Sequence, residues 1–83
     1  KEVPSRLASY LIYLAREQVN PEHVTLAISK GQLASLLGTI PETLSRIFAK
    51  MSAQGLIRVD GKVLYLLDPL GLEDLAAAGK LAE

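Results

Sequence analysis

The chain has no cysteine. That excludes disulfides, thiolate zinc sites and cysteine-ligated iron–sulfur clusters within it, and fits a protein of the cytoplasm. It has a single histidine, His23, so metal ligation or acid–base chemistry built on a histidine pair is excluded as well. No apolar run approaches the roughly 18–20 residues that a membrane span needs. The start, Lys1-Glu2-Val3-Pro4, has neither an initiator Met nor a signal-peptide pattern, which reads as a fragment of a longer protein. There is also no net charge: nine Lys and Arg balance nine Asp and Glu. What is present is ordinary for a globular domain, 49% hydrophobic and 22% charged residues over 83 positions. Residues 1–83 therefore make one domain, small enough that nearly every apolar side chain is needed in the core.

The zero net charge conceals a segregation. Between Val24 and Lys62 five positive residues (Lys30, Arg46, Lys50, Arg58, Lys62) face two negative ones (Glu42, Asp60), a net of +3. The flanks carry four positives against seven negatives, a net of −3. The middle is basic and the flanks taken together are acidic.

Pro4-Ser5 opens a helix with Leu7, Leu11, Leu14 and Ala15 on one face, and Asn20-Pro21 ends it. Val24 to Ile28 alternates Val24, Leu26 and Ile28 and reads as a strand. Ser29-Lys30-Gly31-Gln32 has the spacing of a capping box, in which the Ser hydroxyl and the Gln side chain each satisfy the other's backbone amide. The helix it opens carries Leu33, Leu36 and Leu37 inward and stops at Gly38, a residue suited to the left-handed turn past a helix end. Thr39-Ile40-Pro41-Glu42 is a second capping signal, with Pro41 tolerated only in the first turn. Leu44, Ile47, Phe48 and Met51 then form an apolar stripe up to Gly55. Leu56 to Val59, a tight Asp60-Gly61 turn and Lys62 to Leu67 make a hairpin. Asp68-Pro69 caps a last helix over Leu72, Leu75 and Ala76, followed by Gly79. The predicted order is helix, strand, helix, tight turn, helix, hairpin, helix. Two helices joined by a short Gly-bearing turn and followed by a hairpin predict a mainly α fold with a small antiparallel β-wing, a winged helix-turn-helix.

On a helical wheel with Glu42 at zero, Arg46, Ser45 and Ala49 lie within about 60° of it, and the apolar stripe spans about 140–240°. The face opposite the core is thus polar and compact, the shape that enters a major groove about 12 Å wide. An Arg guanidinium matches guanine O6 and N7 with two parallel hydrogen bonds, a carboxylate accepts from the amino group of cytosine, and a Ser hydroxyl serves either way. Glu42, Ser45 and Arg46 are the candidate base readers. Glu42 would be repelled by phosphate, so its place there requires a base amino group or an i,i+4 pairing with Arg46; on an ordinary helix the same pair is a solvated salt bridge. Candidate phosphate contacts surround this face: Ser29 and Lys30 at a helix N-terminus, Thr39 and Thr43 beside the reading helix at 41–54, and Gly61 and Lys62 at the wing tip. Lys50 and Arg58 are weaker candidates.

The stretch from Ile28 to Asp68, through Ile28-Ser29-Lys30-Gly31-Gln32-Leu33-Ala34-Ser35-Leu36-Leu37-Gly38, then Pro41-Glu42-Thr43-Leu44-Ser45-Arg46, then Gly55-Leu56-Ile57 and the wing, resembles the C-terminal DNA-binding domain of the CRP/FNR family of bacterial transcription regulators. The Glu-x-x-Ser-Arg pattern looks like the FNR branch; the cyclic-AMP-receptor branch has Gly in place of Ser45 and Arg in place of Pro41. The resemblance implies that Glu42, Ser45 and Arg46 read a TTGAT-type half-site, with Arg46 on the guanine. A palindrome of two half-sites implies a homodimer on double-stranded DNA, with RNA polymerase as a further partner. It also implies a sensor domain and a dimer helix before Lys1, so the cofactor or effector sensed is not encoded in this chain, which itself needs none. Ile40 departs from the polar residue common in the family, removing one phosphate contact, and Pro41 removes a possible base-reading side chain.

Enzyme chemistry finds no support. His23 sits beside Pro21 and Glu22 in an expected loop, and Asp60 and Asp68 are accounted for by turn and cap chemistry. A protein-binding winged helix, which would keep the fold without a basic surface, is the competing reading, and the zero net charge suits it.

Overall fold

The computed structural model describes residues 2–78. Four helices and three short strands follow in the order α1 (Val3–Glu17), β1 (His23–Thr25), α2 (Lys30–Leu37), α3 (Pro41–Ala53), β2 (Ile57–Asp60), β3 (Val63–Leu66) and α4 (Pro69–Ala78). The mainly α fold with a small antiparallel wing is therefore present. Gly79 lies outside the described residues.

The helix ends follow local chemistry, with two departures. α2 starts as expected: Ser29 Oγ accepts from the Gln32 amide at 3.1 Å and Gln32 Oε1 accepts from the Ser29 amide at 2.9 Å. Gly38 closes it with φ 76°, a left-handed conformation that only glycine adopts without steric cost. The second capping signal does not operate as read. α3 begins at Pro41, which makes Ile40 its N-cap residue, and no side chain caps it. The Thr39 amide instead donates to the Ala34 carbonyl at 2.8 Å. Thr39 completes the end of α2 because the turn is too short to give it to α3.

α1 ends three residues before Asn20, at Glu17, and not at Asn20-Pro21. The Val19 and Asn20 amides return to the Arg16 and Ala15 carbonyls, the double closure of a Schellman motif. Val19 takes the left-handed position with φ 51° although it is β-branched. Asn20 Oδ1 then accepts from the Glu22 and His23 amides and turns the chain into β1.

The strands form one antiparallel sheet of order β1-β3-β2. β1 is shorter than the alternation of Val24, Leu26 and Ile28 predicted, although Leu26 stays buried and its amide still reaches the Lys62 carbonyl at 2.8 Å. Its outer edge is covered by Gln18, whose side-chain amide exchanges two 2.9 Å hydrogen bonds with the Thr25 backbone. In the β2–β3 hairpin Asp60 pairs with Val63, so the two turn residues are Gly61 and Lys62 and not Asp60 and Gly61. Gly61 has φ 59° and Lys62 does not have positive φ, the pattern of a type II′ turn. His23 is correspondingly not a loop residue: it opens β1, is half-buried, and its ring lies 5.7 Å from that of Tyr65.

The core lies where the helices meet the inner sheet face. It contains Leu7 and Leu11 of α1, Leu33 and Leu37 of α2, the four stripe residues of α3, Ile57, Leu64 and Leu66 of the sheet, and Leu72 and Leu75 of α4. Leu36 is the exception to the predicted stripe of α2, at 61% exposure, and Ala34 takes its place inside. The wheel explains it: Leu33, Ala34 and Leu37 span about 100°, and Leu36 falls about 60° outside that arc. α4 starts as predicted, with the Gly71 amide donating to Asp68 Oδ1 at 3.0 Å.

Candidate nucleic-acid interface

α3 runs for 13 residues with Leu44, Ile47, Phe48 and Met51 buried. Glu42, Ser45, Arg46 and Ala49 are all exposed on the opposite side. Four apolar anchors hold the helix down along one face and leave a narrow polar strip on the other. A ligand can approach that strip without displacing core. Arg46 does not turn to Glu42: its Nη2 donates to Thr43 Oγ1 at 3.4 Å. Thr43 is half-buried, so this contact lays the guanidinium back along its own helix. A bond of that length between exposed groups is weak and gives way to a better acceptor.

The elements around α3 carry the other candidates. α2 packs against α3, and α3 against β2. Ser29 and Lys30 are exposed at the α2 N-terminus, where the helix dipole and unpaired amides favour an anion. Ser29 Oγ is an acceptor toward Gln32, which leaves its own hydroxyl proton for an outside partner. Lys30 Nζ sits 5.8 Å from the centroid of the Phe48 ring, so its ammonium reaches the flank of α3. Thr39 is half-buried in the turn. Gly61 and Lys62 are exposed at the tip of the hairpin. Of the weaker candidates, Lys50 is exposed near the end of α3, and Arg58 lies 4.1 Å from the Tyr65 ring centroid on the outer sheet face.

The turn joining the two helices also has a partner that sequence reading missed. Arg6 of α1 donates to the Leu37 carbonyl from both Nε, at 3.2 Å, and Nη2, at 2.7 Å. Nothing in the local pattern marks this, because the partners are 31 residues apart. Among the described residues no group of three or more His, Cys, Asp or Glu is placed to hold a metal ion. A groove of about 460 Å³ between α1 and α4, lined by Ile12, Ala15, Val19, Leu66, Pro69 and Leu72 among others, takes no residue from α2 or α3.

Helix, three-residue turn, helix and hairpin in this packing match a family model described as "Crp-like helix-turn-helix domain" over residues 5–75. The chain belongs to the Crp-like helix-turn-helix family. This Crp-like domain is 38% identical over 71 residues to the "Probable transcriptional regulator flp" of Lacticaseibacillus casei, covering 86% of this chain and 32% of that protein. It is 31% identical over 80 residues to the "Transcriptional activator protein anr" of Pseudomonas aeruginosa, covering 92% of this chain and 33% of the relative. Among solved structures, a CRP-family transcriptional regulator of Thermus thermophilus superposes with a TM-score of 0.76 at 31% identity, covering 100% of this chain and 43% of that one. The Crp-like domain thus spans about a third of the length of the curated relatives it matches. The fold and the relatives are those of transcriptional regulators and not of enzymes.

Proposed function

We propose that this domain binds double-stranded DNA with sequence preference and serves transcription regulation, with α3 in the major groove. The observation that carries the reading is the division of α3, four buried apolar residues against an exposed face of Glu42, Ser45, Arg46 and Ala49. Small and hydrogen-bonding side chains on the outward side of the second helix of a helix-turn-helix are what base edges require. In this reading Arg46 leaves Thr43 for guanine O6 and N7, Glu42 accepts from a base amino group, and Ser45 donates or accepts beside a thymine methyl. A TTGAT-type half-site follows, with Arg46 on its guanine. Ser29, Lys30, Thr39, Thr43, Gly61 and Lys62 supply phosphate contacts around it. A palindrome of two half-sites is met by two copies, as part of a longer homodimeric regulator of the bacterial cytoplasm that engages RNA polymerase. The domain reads DNA without a cofactor of its own.

Fluorescence anisotropy with a palindromic TTGAT duplex and a scrambled duplex of equal length tests this. Tighter binding to the palindrome, weakening steeply from about 50 to 200 mM salt and unchanged by chelator, is the expected result. Absence of binding to either duplex at low salt would instead assign the domain to protein partners.

A further inference from the structure

We infer that Arg6 is a positioning residue for α3: it clamps the turn that sets the angle of the reading helix. The functional half of this inference rests on the DNA-binding reading above, while its structural half does not.

The last carbonyls of a helix have no partner within it. At the end of α2 those of Ala34 and Ser35 are taken by the Gly38 and Thr39 amides. The carbonyl of Leu37, the final residue, is taken by the Arg6 guanidinium through two nitrogens. A cation there is also favoured by the negative end of the helix dipole. The clamp extends over the next residue, since a Cβ on Gly38 would lie 3.8 Å from Arg6 Nη2. α3 begins four positions after Leu37, at Pro41, and has no side-chain cap of its own at Ile40. The direction in which α3 leaves the turn is therefore held by its four buried anchors, by the turn itself and by what grips the turn from outside.

The neighbouring residue shows that the first turn of α1 is a fixed base for that grip. Ser5 is fully buried and its Oγ donates to the Ala76 carbonyl of α4 at 2.8 Å. Two successive side chains thus reach opposite ways, Ser5 to α4 and Arg6 to the end of α2. Base reading tolerates a displacement of only about 0.5 Å, and the first reading residue, Glu42, stands five positions after Leu37. Loosening the clamp lets α3 sample other angles and costs selectivity before it costs fold, because Arg6 itself is exposed and outside the core.

The test uses the 83-residue chain with Arg6→Ala, Arg6→Lys and Ser5→Ala. Without DNA, backbone amide shifts and hydrogen exchange are compared by NMR. With DNA, the ratio of affinities for palindromic and scrambled duplexes is measured across salt. In Arg6→Ala the amides from Gly38 to Arg46 shift, the Thr39 amide exchanges faster, and the affinity ratio falls about 2- to 30-fold with an unchanged salt slope. Arg6→Lys, which keeps a cationic donor, recovers part of both effects. Ser5→Ala lowers the melting temperature without moving the amides of α3. Shifts confined to α1 in Arg6→Ala overturn the inference, as does a salt slope reduced by about one, which would make Arg6 a phosphate contact. If the parent chain prefers neither duplex, the DNA reading fails, and the amide comparison alone still decides whether Arg6 positions α3.

Discussion

Arg46 and Val19 are both exposed, and for opposite reasons. Arg46 is paired weakly to Thr43 at 3.4 Å, so its guanidinium is available at low cost. Arg46→Ala is expected to remove about 1–3 kcal/mol of discrimination between cognate and mismatched duplexes. Competition titration over single-base variants measures it, and an equal loss on every duplex would place Arg46 on phosphate. Val19, 87% exposed, sits at φ 51° where a β-branched side chain is strained. Val19→Gly is expected to raise stability by about 1 kcal/mol, or a melting temperature higher by about 4–8 °C in a domain of this size. Thermal unfolding followed by circular dichroism reads it. The stripe and the polar face of α3 could be read from spacing alone, because helical periodicity is local. The strain at Val19 could not: a Pro-containing stop signal lay just downstream, while the chain closed α1 one turn earlier with the residue it had.

At the scale of elements, α2 offers a clean separation of folding from binding. Ser29 both caps the helix and stands at a candidate phosphate position. Ser29→Ala loses the cap and is expected to cost about 1 kcal/mol of stability. Ser29→Asp keeps a capping oxygen and suits the helix dipole, but places a carboxylate toward the backbone of DNA. Its melting temperature should match the parent while its affinity for all duplexes falls. Equal affinity of the parent and Ser29→Asp would remove Ser29 from the interface. The two capping signals illustrate how far local rules reach. Ser29 and Gln32 had room to act, and both bonds of the box form. Thr39 had the right spacing to Glu42, but only three residues separate the helices, and closing α2 took its amide first. β1 shows the same limit: its alternation continues past Thr25, but the partner strand ends at the wing turn.

For the whole molecule, a net charge of zero does not oppose DNA binding if the charges are segregated. The positive excess falls on the segment that folds into β1, α2, α3 and the wing, and the negative excess on the segment from Asp68 onward that includes α4, while α1 and its flanks are neutral. With Lys30 and Lys62 as the charged phosphate contacts, the plot of log affinity against log salt should have a slope of roughly −2 per domain. Lys62→Ala should reduce its magnitude by about one and weaken all sequences alike. An unchanged slope would take the wing tip off the backbone. The core allows little disturbance elsewhere. Leu44 is 1% exposed beneath the reading face, and Leu44→Ala is expected to cost about 2–5 kcal/mol. That is a large part of what a domain this small has, roughly 4–12 kcal/mol, and urea unfolding would show it.

The sequence by itself determined the helices, the exposed polar face of α3, the capping box on α2, the left-handed glycine at its end and the hairpin, because each depends on residues within a turn or two of one another. It also carried the family, through motifs between Ile28 and Asp68. Only the tertiary structure decided that β1 joins β3 at the sheet edge, that His23 meets Tyr65, and that Ser5 and Arg6 tie α1 to α4 and α2. Most of these bring together partners from distant parts of the chain, 31 residues apart for Arg6 and Leu37 and 71 for Ser5 and Ala76. No local propensity encodes such a pairing. It exists because packing the helices on the sheet leaves a carbonyl in reach of a donor that the chain carried there for the core.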